Sequence, residues 1–318
     1  MTSTCRMILD VDTGIDDAMA VVFALNHPGI QLEALTTTYG NIDVASATRN
    51  TLQLLEAAGR TDIPVAAGCS RALTRPFHKR GSRIHGSNGL GEVELPLPTS
   101  QARPIWGPDL IIELVRANPG ELTLVPVGPM TNVAQALMKA PDIAEKLKGL
   151  VLMGGTIWHP GVPGIASPVA DANFFNDPEA ARIVLQSGAP ITLVGMDVTM
   201  KTKLTAPMMD EIAARGGKAA GITMQAARFY LAAYQAQYPD ITYCALHDPL
   251  AVAVAQDPSV VTIEPMQIDV ECVGELTRGQ VIPDRRRTGT TVPSAGVAVA
   301  VDSERFEALF LETMVAGA

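Results

Sequence analysis

Short apolar segments typical of β-strands alternate with segments of helical pattern through the first part of the chain. The predicted strands cover residues 7–11, 31–38, 63–66, 122–127, 149–153 and 191–194. The predicted helices between them cover residues 16–26, 43–58, 109–117, 131–138 and 178–187. An alternation of strand and helix makes neighbouring strands parallel and covers both faces of the sheet with helices. We therefore expect an α/β fold with a mostly parallel, Rossmann-like open sheet.

The remaining segments add a helical region and a β-hairpin to this sheet. A mostly helical region is predicted over 207–255, and strands are predicted over 262–301, with a hairpin through Arg278 and Gly279. Residues 77–98 are rich in glycine and in charge, which predicts a long loop that could cover a site. No change in composition marks a domain boundary, so residues 1–318 are expected to form a single domain.

Composition excludes several classes of function. The 318 residues are 47% hydrophobic, which is enough for a large buried core. A formal net charge of -9 argues against a surface that binds nucleic acid. No segment has the roughly 18 uncharged apolar residues that suggest a membrane span, and the first residues lack the pattern of a signal peptide. A cytoplasmic enzyme that contacts neither nucleic acid nor membranes is therefore expected.

Four aspartates lie close together, directly after the first predicted strand. Asp10 and Asp12 end the apolar run, and Asp16 and Asp17 open the following helix. Carboxylates this close repel one another unless something compensates their charge. A hard cation or a substrate rich in hydroxyl groups would do so, and ligands of such sheets bind beyond the carboxyl ends of the strands. Acids that are merely solvated at a helix N-terminus are the alternative.

Three kinds of functional site compete for this cluster. An EF-hand loop is excluded, because its sixth and twelfth positions would be Ile15 and Val21 instead of Gly and Glu. A phosphatase of the haloacid-dehalogenase type resembles the DVDTG segment, but the fifth position holds Gly14. That class also leaves Asp16 and Asp17 without a role. The third kind is an oxygen-ligand cation site that activates a water molecule.

The chain resembles the inosine–uridine type of nucleoside hydrolase along nearly its whole length. Its segment DVDTGIDDA matches every fixed position of that family's opening motif, DxDxGxDDA. Six further segments follow in the family's order: TTTYGN at 36–41, HGSNGLG at 85–91, PVGPMTN at 126–132, MGG at 153–155, DANFFNDPEAA at 171–181 and HDPLAVA at 247–253. The resemblance implies calcium-dependent hydrolysis of the N-glycosidic bond of ribonucleosides to ribose and free base. It also implies a homodimer or homotetramer that serves nucleoside salvage.

Other functions stay open beside this one. A haloacid-dehalogenase-like phosphatase would use Asp10 as a nucleophile and would depend on magnesium. A nucleoside hydrolase homologue could be redirected to a 5′-modified ribosyl substrate. A protein that binds nucleosides without hydrolysing them could keep the same fold and calcium.

The resemblance also implies roles for the residues around the metal. The implied calcium ligands are the carboxylates of Asp12, Asp17 and Asp248 and the backbone carbonyl of Val127. Asp12 would also be the general base that takes a proton from a metal-bound water, and Asp10 would orient its neighbours. His247 would be the general acid that protonates the departing base.

The residues implied to bind the substrate come from the same resemblance. They are Asp16, Asn41 and Asn173 for the ribose hydroxyls, His85 near the base, and Met153 as a further substrate-binding residue. Tyr234 and Tyr238 are predicted from their spacing instead: they are four residues apart, hence on one helical face, and could stack on a nucleobase or donate a hydroxyl to it. Packing without function is the alternative for His247 and the two tyrosines, and an exposed loop histidine is the alternative for His85. The family usually has Glu and Asn near the ribose 5′-hydroxyl, where this chain has Asp171 and Ile165. Discrimination at the 5′ position is therefore expected to be weaker.

Overall fold

An eight-stranded sheet with helices on both faces forms the centre of the protein. The computed structural model describes residues 4–78, 81–157, 166–286 and 292–317. The strands are β1 (Cys5–Val11), β2 (Ile30–Thr37), β3 (Val65–Ala67), β4 (Leu122–Pro126), β5 (Gly149–Met153), β6 (Ile191–Val194), β7 (Leu204–Thr205), β8 (Tyr243–Cys244), β9 (Val261–Met266), β10 (Ile268–Val270), β11 (Val281–Pro283) and β12 (Ala295–Val301). The helices are α1 (Ile15–Asn26), α2 (Val44–Ala57), α3 (Ser82–His85), α4 (Gly107–Ala117), α5 (Thr131–Lys139), α6 (Ala172–Asn176), α7 (Pro178–Leu185), α8 (Met196–Thr199), α9 (Ala206–Arg215), α10 (Lys218–Gln237), α11 (His247–Gln256) and α12 (Ser303–Ala316).

The topology of the main sheet contains one reversal. Its strand order is β3-β2-β1-β4-β5-β6-β12-β9. The neighbouring strands from β3 to β12 are parallel, and β9 pairs with β12 in the antiparallel sense. The chain runs outward from β1 to β3 and then continues on the other side of β1, at β4. A ligand crevice forms at such a reversal, beyond the carboxyl ends of the strands.

Side chains of β1 alternate between the two faces of the sheet. Met7, Leu9 and Val11 belong to the core beneath α1, α10, α11 and α12. Ile8 belongs to the core beneath α4, α5 and α7. Burial of each such side chain stabilises the fold by roughly 1.5–3 kcal/mol. Because both faces are covered, the centre of β1 is an uninterrupted apolar run that ends at the aspartates.

The fold predicted from the sequence is confirmed. The six predicted strands correspond to β1–β6, and the five predicted helices correspond to α1, α2, α4, α5 and α7. The predicted hairpin is present as the antiparallel pair β10 and β11, with Arg278 and Gly279 in its connection. Helix α12 is absent from the predicted element order, although Asp302 caps it by accepting the N–H of Arg305. The predicted loop at 77–98 contains the short helix α3, and its residues 79 and 80 lie outside the described ranges.

Helix α10 is the main element of the predicted helical region and has 20 residues. It ends at Gln237, so Tyr238 lies at its C-cap instead of within the helix. The rings of Tyr234 and Tyr238 are still neighbours, with centroids 6.5 Å apart. In the part of the chain that the structure describes, neither α10 nor another helix is long and apolar enough to cross a membrane.

Candidate active site

A cavity of about 590 Å³ opens beyond the carboxyl ends of the central strands. This volume lies within the range of small-molecule sites. Most of the predicted site residues line it: Asp16, Asn41, His85, Val127, Met153, Asp171, Asn173, Tyr234, Tyr238, His247 and Asp248. Asp12 and Asp17 are also buried and contact the cavity residue Asn41. The parallel sheet therefore brings together residues from segments that are distant in sequence.

The aspartate segment folds back on itself at the start of α1. Asp17 lies in the first turn of this helix, and its carboxylate accepts the backbone N–H groups of Asp12 and Gly14, each at 2.9 Å. A carboxylate at this position satisfies N–H groups near the start of the helix and interacts favourably with the helix dipole. The contact draws the backbone of Asp12 against the side chain of Asp17.

Asn41 joins the ends of β1 and β2. Its backbone N–H donates to Asp12 Oδ2 at 2.6 Å, and its side-chain amide donates to Asp12 Oδ1 at 3.3 Å and to Asp17 Oδ2 at 3.0 Å. Glycine is required at position 40, because a Cβ atom on Gly40 would lie 1.9 Å from Asp12 Oδ2. Asn41, predicted as a ribose ligand, therefore also holds two carboxylates in place.

The aspartates at this edge repel one another, and within the described ranges none of Asp12, Asp16, Asp17 and Asp248 forms an ion pair with a lysine or an arginine. Asp16, Asp17 and Asp248 each offer a carboxylate oxygen, and these atoms lie within 4.8 Å of one another. Burial, followed by the charge of Asp16, raises the pKa of Asp17 to about 7. Burial raises the pKa values of Asp12 and Asp248 as well, and neighbouring aspartates add to both shifts. The Oδ1 atom of Asp16 is buried without a hydrogen-bond partner.

This set of oxygen atoms fits a divalent cation. Hard cations such as Ca²⁺ and Mg²⁺ bind carboxylate and carbonyl oxygens, and either would supply the positive charge that the cluster lacks. Two predicted ligands, Asp17 and Asp248, belong to the group of three converging carboxylates. The third member is Asp16, whereas Asp12 was expected. Asp12 adjoins the group through Asn41, and Val127 lines the same cavity.

Asp10 has a separate set of partners. Its Oδ1 atom accepts the Thr36 hydroxyl at 2.5 Å and the Asn132 amide at 2.7 Å, and its Oδ2 atom is buried without a partner. Burial raises the pKa of Asp10 to about 7, against the effect of these two hydrogen bonds. Asn132 also donates to the carbonyl of Thr37 at the end of β2. That Asp10 orients its neighbours without binding the metal stays a prediction.

His247 begins α11 and is held at both ring nitrogens. Its Nε2 atom lies 2.6 Å from the Tyr234 hydroxyl, and its Nδ1 atom lies 2.7 Å from the Thr199 hydroxyl. Burial lowers the pKa of His247 to about 4, and the charge of Asp16 opposes this shift. A group able to transfer a proton therefore lies in the same cavity as the acidic cluster.

His85 ends α3 and packs against the start of α1. Its Nδ1 atom accepts the N–H of Ile15 at 3.1 Å and lies 3.7 Å from Asp16 Oδ1. Because Nδ1 accepts a hydrogen bond, it carries no proton, and the contact with Asp16 is not an ion pair. Burial lowers the pKa of His85, which agrees with a neutral ring. His85 is therefore a buried wall residue, and the alternative of an exposed loop histidine is wrong.

Tyr230 is a cavity residue that the sequence predictions omit. Its hydroxyl donates to Asp16 Oδ2 at 3.3 Å, and its ring packs edge-on against Tyr234 with centroids 4.9 Å apart. Tyr230 precedes Tyr234 by four residues, the same spacing that pointed to Tyr238. That spacing is the signal that could have found it.

Asn173 and Asp171 form the wall next to the end of β5. The Asn173 amide donates to the carbonyls of Val127 at 2.7 Å and Met153 at 3.1 Å. Asp171 caps α6, because its carboxylate accepts the N–H of Asn173 at 2.9 Å and a second N–H in the same turn. Burial raises the pKa of Asp171 to about 6, against these backbone hydrogen bonds. The carboxylate expected at the 5′-hydroxyl is thus engaged by backbone, and Ile165 lies outside the described residues.

Comparison with known proteins identifies the family. The family model for inosine-uridine preferring nucleoside hydrolase matches residues 7–308. The inosine-uridine preferring nucleoside hydrolase of Leishmania major is 38% identical over 312 residues, which are 97% of each chain. The probable uridine nucleosidase 2 of Arabidopsis thaliana is 36% identical in an alignment of length 318 that covers 98% of this chain and 97% of that protein. The solved structure of the purine-preferring ribonucleoside hydrolase from Gardnerella vaginalis is 39% identical, with a TM-score of 0.92 over 98% of both chains.

These matches and the site define a hydrolase that acts on N-glycosyl bonds of nucleosides. The chain belongs to the inosine-uridine preferring nucleoside hydrolase family. The family and the enzyme class predicted from the sequence segments are therefore confirmed.

Proposed function

We propose that this protein hydrolyses free ribonucleosides to ribose and base with the help of a bound calcium ion. The observation that carries the proposal is the buried acidic cluster, formed by Asp12, Asp16, Asp17 and Asp248, next to His247 at one cavity. The cluster needs both a cation and hydroxyl donors, and a ribonucleoside bound with calcium supplies them.

Asp16 is the proposed acceptor for the ribose hydroxyls. Its Oδ1 atom is buried and lacks a donor, and its Oδ2 atom accepts a long hydrogen bond from Tyr230 at 3.3 Å. An unpaired buried polar atom costs roughly 1–3 kcal/mol, so donors from a bound ribose would be favourable. Asn41 and Asn173 line the same cavity and are the proposed partners of Asp16 in this contact.

The proposed calcium ligands are the carboxylates of Asp12, Asp17 and Asp248 and the carbonyl of Val127. When bound, the cation would offset the charge of the cluster and lower the pKa of a water molecule at the site. Calcium takes roughly six to eight oxygen ligands in an adaptable geometry, whereas magnesium requires a tight octahedron. The proposed ligands are carboxylate and carbonyl oxygens, which suit either cation, and it is the family resemblance that favours calcium.

Asp12 is the proposed general base. Its carboxylate is fixed in one orientation by the backbone N–H and the side-chain amide of Asn41, as a general base requires. It takes a proton from the attacking water, whose oxygen bonds to C1′ of the ribose. The electron pair of the C1′–N bond passes to the departing base, through a transition state with oxocarbenium character.

His247 is the proposed general acid. It lines the cavity together with Tyr234, and the hydroxyl of Tyr234 lies 2.6 Å from its Nε2 atom. A proton delivered from this side would neutralise the base as the C1′–N bond breaks. The rings of Tyr234 and Tyr238 and the side chain of His85 offer an aromatic wall for the base.

Release of reducing sugar from a panel of ribonucleosides tests the proposal. The panel contains purine and pyrimidine nucleosides, because the names of the relatives include both kinds of preference. Activity is expected to disappear on chelation and to return with calcium. Asp12→Asn is expected to lower kcat by about 10²–10⁴, the usual contribution of a general base.

Asp10→Asn is the matched control, because Asp10 is an equally buried aspartate with its own partners. Its loss of activity is expected to be much smaller. A larger loss of activity in Asp10→Asn than in Asp12→Asn, together with hydrolysis of a phosphorylated substrate, would support a phosphatase. No ribose release from any nucleoside by the calcium-loaded protein would refute the proposed function.

The cellular context stays a prediction. A cytoplasmic location, a role in nucleoside salvage and a homodimeric or homotetrameric state are all expected from the sequence. Sedimentation equilibrium would test the last of these directly.

A further inference from the structure

Two buried threonines hold the imidazole of His247 from the side of α8. Thr199 ends this helix, directly after β6, and its hydroxyl lies 2.7 Å from His247 Nδ1. The Thr202 hydroxyl donates to the carbonyl of Thr199 at 2.7 Å and accepts the N–H of Leu246 at 2.9 Å. Thr199 and Thr202 are both completely buried. The residue that precedes His247 is therefore tied to the same turn that carries Thr199.

We propose that Thr199 is a positioning residue, which keeps a proton on Nδ1 of His247 and leaves Nε2 to exchange a proton with the departing base. This inference rests on the proposed hydrolysis of nucleosides. Nothing in the sequence motifs singles out Thr199, because it lies between the segments that carry the family resemblance.

The chemistry of the two hydroxyls favours this tautomer. A neutral imidazole donates from one nitrogen and accepts at the other. The phenol of Tyr234 is the more acidic hydroxyl and therefore the stronger donor, so it suits the accepting nitrogen, Nε2. The alkyl hydroxyl of Thr199 is the better acceptor and suits Nδ1–H. The hydroxyl of Thr202 fixes the backbone of Thr199, so the ring of His247 cannot turn without losing its contact with the Thr199 hydroxyl.

The proton balance at His247 then involves Nε2 alone. Before the step, the neutral ring takes up a second proton from solvent at Nε2, and it gives this Nε2 proton to the base nitrogen as the C1′–N electron pair moves there. The ring returns to the neutral state with its remaining proton on Nδ1, still donated to Thr199. A leaving group that departs as a stable anion needs no such proton. Thr199 is therefore expected to matter for nucleosides and not for a riboside with an acidic leaving group.

The test compares two substrates with the calcium-loaded enzyme. Inosine and uridine have basic leaving groups, whereas p-nitrophenyl β-D-ribofuranoside releases a stable anion. Thr199→Val is expected to lower kcat for the nucleosides at least about tenfold, as expected when proton transfer to the leaving group is impaired. Its kcat for the p-nitrophenyl riboside should change less than about twofold, and KM should change little for either substrate. Thr199→Ser keeps the hydroxyl and should restore nucleoside hydrolysis.

Thr223→Val is the matched control for the loss of a buried threonine hydroxyl. Thr223 is completely buried, and its hydroxyl donates to the carbonyl of Ala220 within α10 at 2.8 Å. This variant should lose a similar amount of stability without separating the two substrates. Equal losses on both substrates in Thr199→Val would mean that Thr199 only stabilises the fold and would overturn the proposal. An unchanged nucleoside kcat would also overturn it.

A spectroscopic measurement tests the proposal without turnover. Histidine labelled with ¹⁵N reports in ¹H–¹⁵N spectra which ring nitrogen carries the proton. His247 is expected as the Nδ1–H tautomer in the wild-type protein, and Thr199→Val should remove that preference. A wild-type ring protonated on Nε2 would contradict the inference. Should the wild-type protein hydrolyse neither kind of substrate, the proposed function fails, and the tautomer still decides whether Thr199 positions His247.

Discussion

Replacing Asp17 by Asn is expected to change how the stability of the metal-free protein depends on pH. Burial, followed by repulsion from Asp16, raises the pKa of Asp17 to about 7. In the unfolded chain the pKa of an aspartate is about 3.9. Between these two values the folded protein binds a proton that the unfolded chain has lost. The resulting stabilisation is fully present below about pH 4 and is lost as the pH rises through about 7.

The size of this effect follows from the two pKa values. One pKa unit corresponds to about 1.36 kcal/mol, so a carboxyl with a folded pKa of about 7 gains roughly 2 kcal/mol between pH 8 and pH 5.5. The wild-type protein should therefore gain about 2 kcal/mol of unfolding free energy relative to Asp17→Asn over this interval. His85 and His247 have lowered pKa values and act in the opposite direction. The difference between the two proteins cancels their contribution.

Urea unfolding at several pH values, followed by circular dichroism in excess chelator, measures this difference. In calcium, the difference in unfolding free energy between the wild-type protein and Asp17→Asn should instead grow as the pH rises. The reason is that the cation binds the ionised carboxylates and adds about 2.7 kcal/mol at one hundred times its Kd. Asp10→Asn is the matched control, since burial raises the pKa of Asp10 to about 7 but no contact with the cation is proposed. The difference in unfolding free energy between the wild-type protein and Asp10→Asn should still decrease with rising pH when calcium is present.

One result would refute the reasoning. The difference between the wild-type protein and Asp17→Asn could stay constant, or grow toward pH 8, in the presence of chelator. In either case the carboxylate of Asp17 would be compensated within the protein itself, and the electrostatic argument for a cation would fail.

Two further predictions concern the cavity wall. Gly40→Ala places a Cβ atom 1.9 Å from Asp12 Oδ2, so kcat should fall by about 10². Gly221→Ala in α10 is the control: its Cβ atom meets no atom within 4 Å, so the variant should keep full activity and gain up to about 1 kcal/mol of stability. Equal activities of the two variants in the sugar-release assay would contradict this. Backbone N–H groups already engage the carboxylate of Asp171, so a 5′-deoxynucleoside should retain kcat/KM within about tenfold of the parent nucleoside. For the same reason Asp171→Ala removes a helix cap and should lower the unfolding free energy in urea by about 1 kcal/mol. A hundredfold loss without the 5′-hydroxyl would show that this wall does recognise it.

The main elements of the fold could be predicted because their signals are local. An apolar run such as Met7 to Val11 and the helical pattern after it need only a few turns of chain to be recognised. The parallel connection then brings the carboxyl ends of the strands to one edge, which is why the predicted residues Asn41, Val127 and Met153 line a common cavity. Helix α12 is not predicted, although Asp302 caps its N-terminus, because its segment follows the strand β12 directly and is not distinguished from it.

The sequence by itself determined the class of fold, the family and the edge of the sheet that carries the site. Motif spacing and strand–helix order contain that information, because both depend on neighbours in the chain. Only the tertiary structure decided which atoms meet. It brings Tyr230 to Asp16 across 214 residues and Thr199 to His247 across 48 residues. Such contacts depend on how distant segments pack and on what burial does to their charges, and no local pattern in the chain contains either.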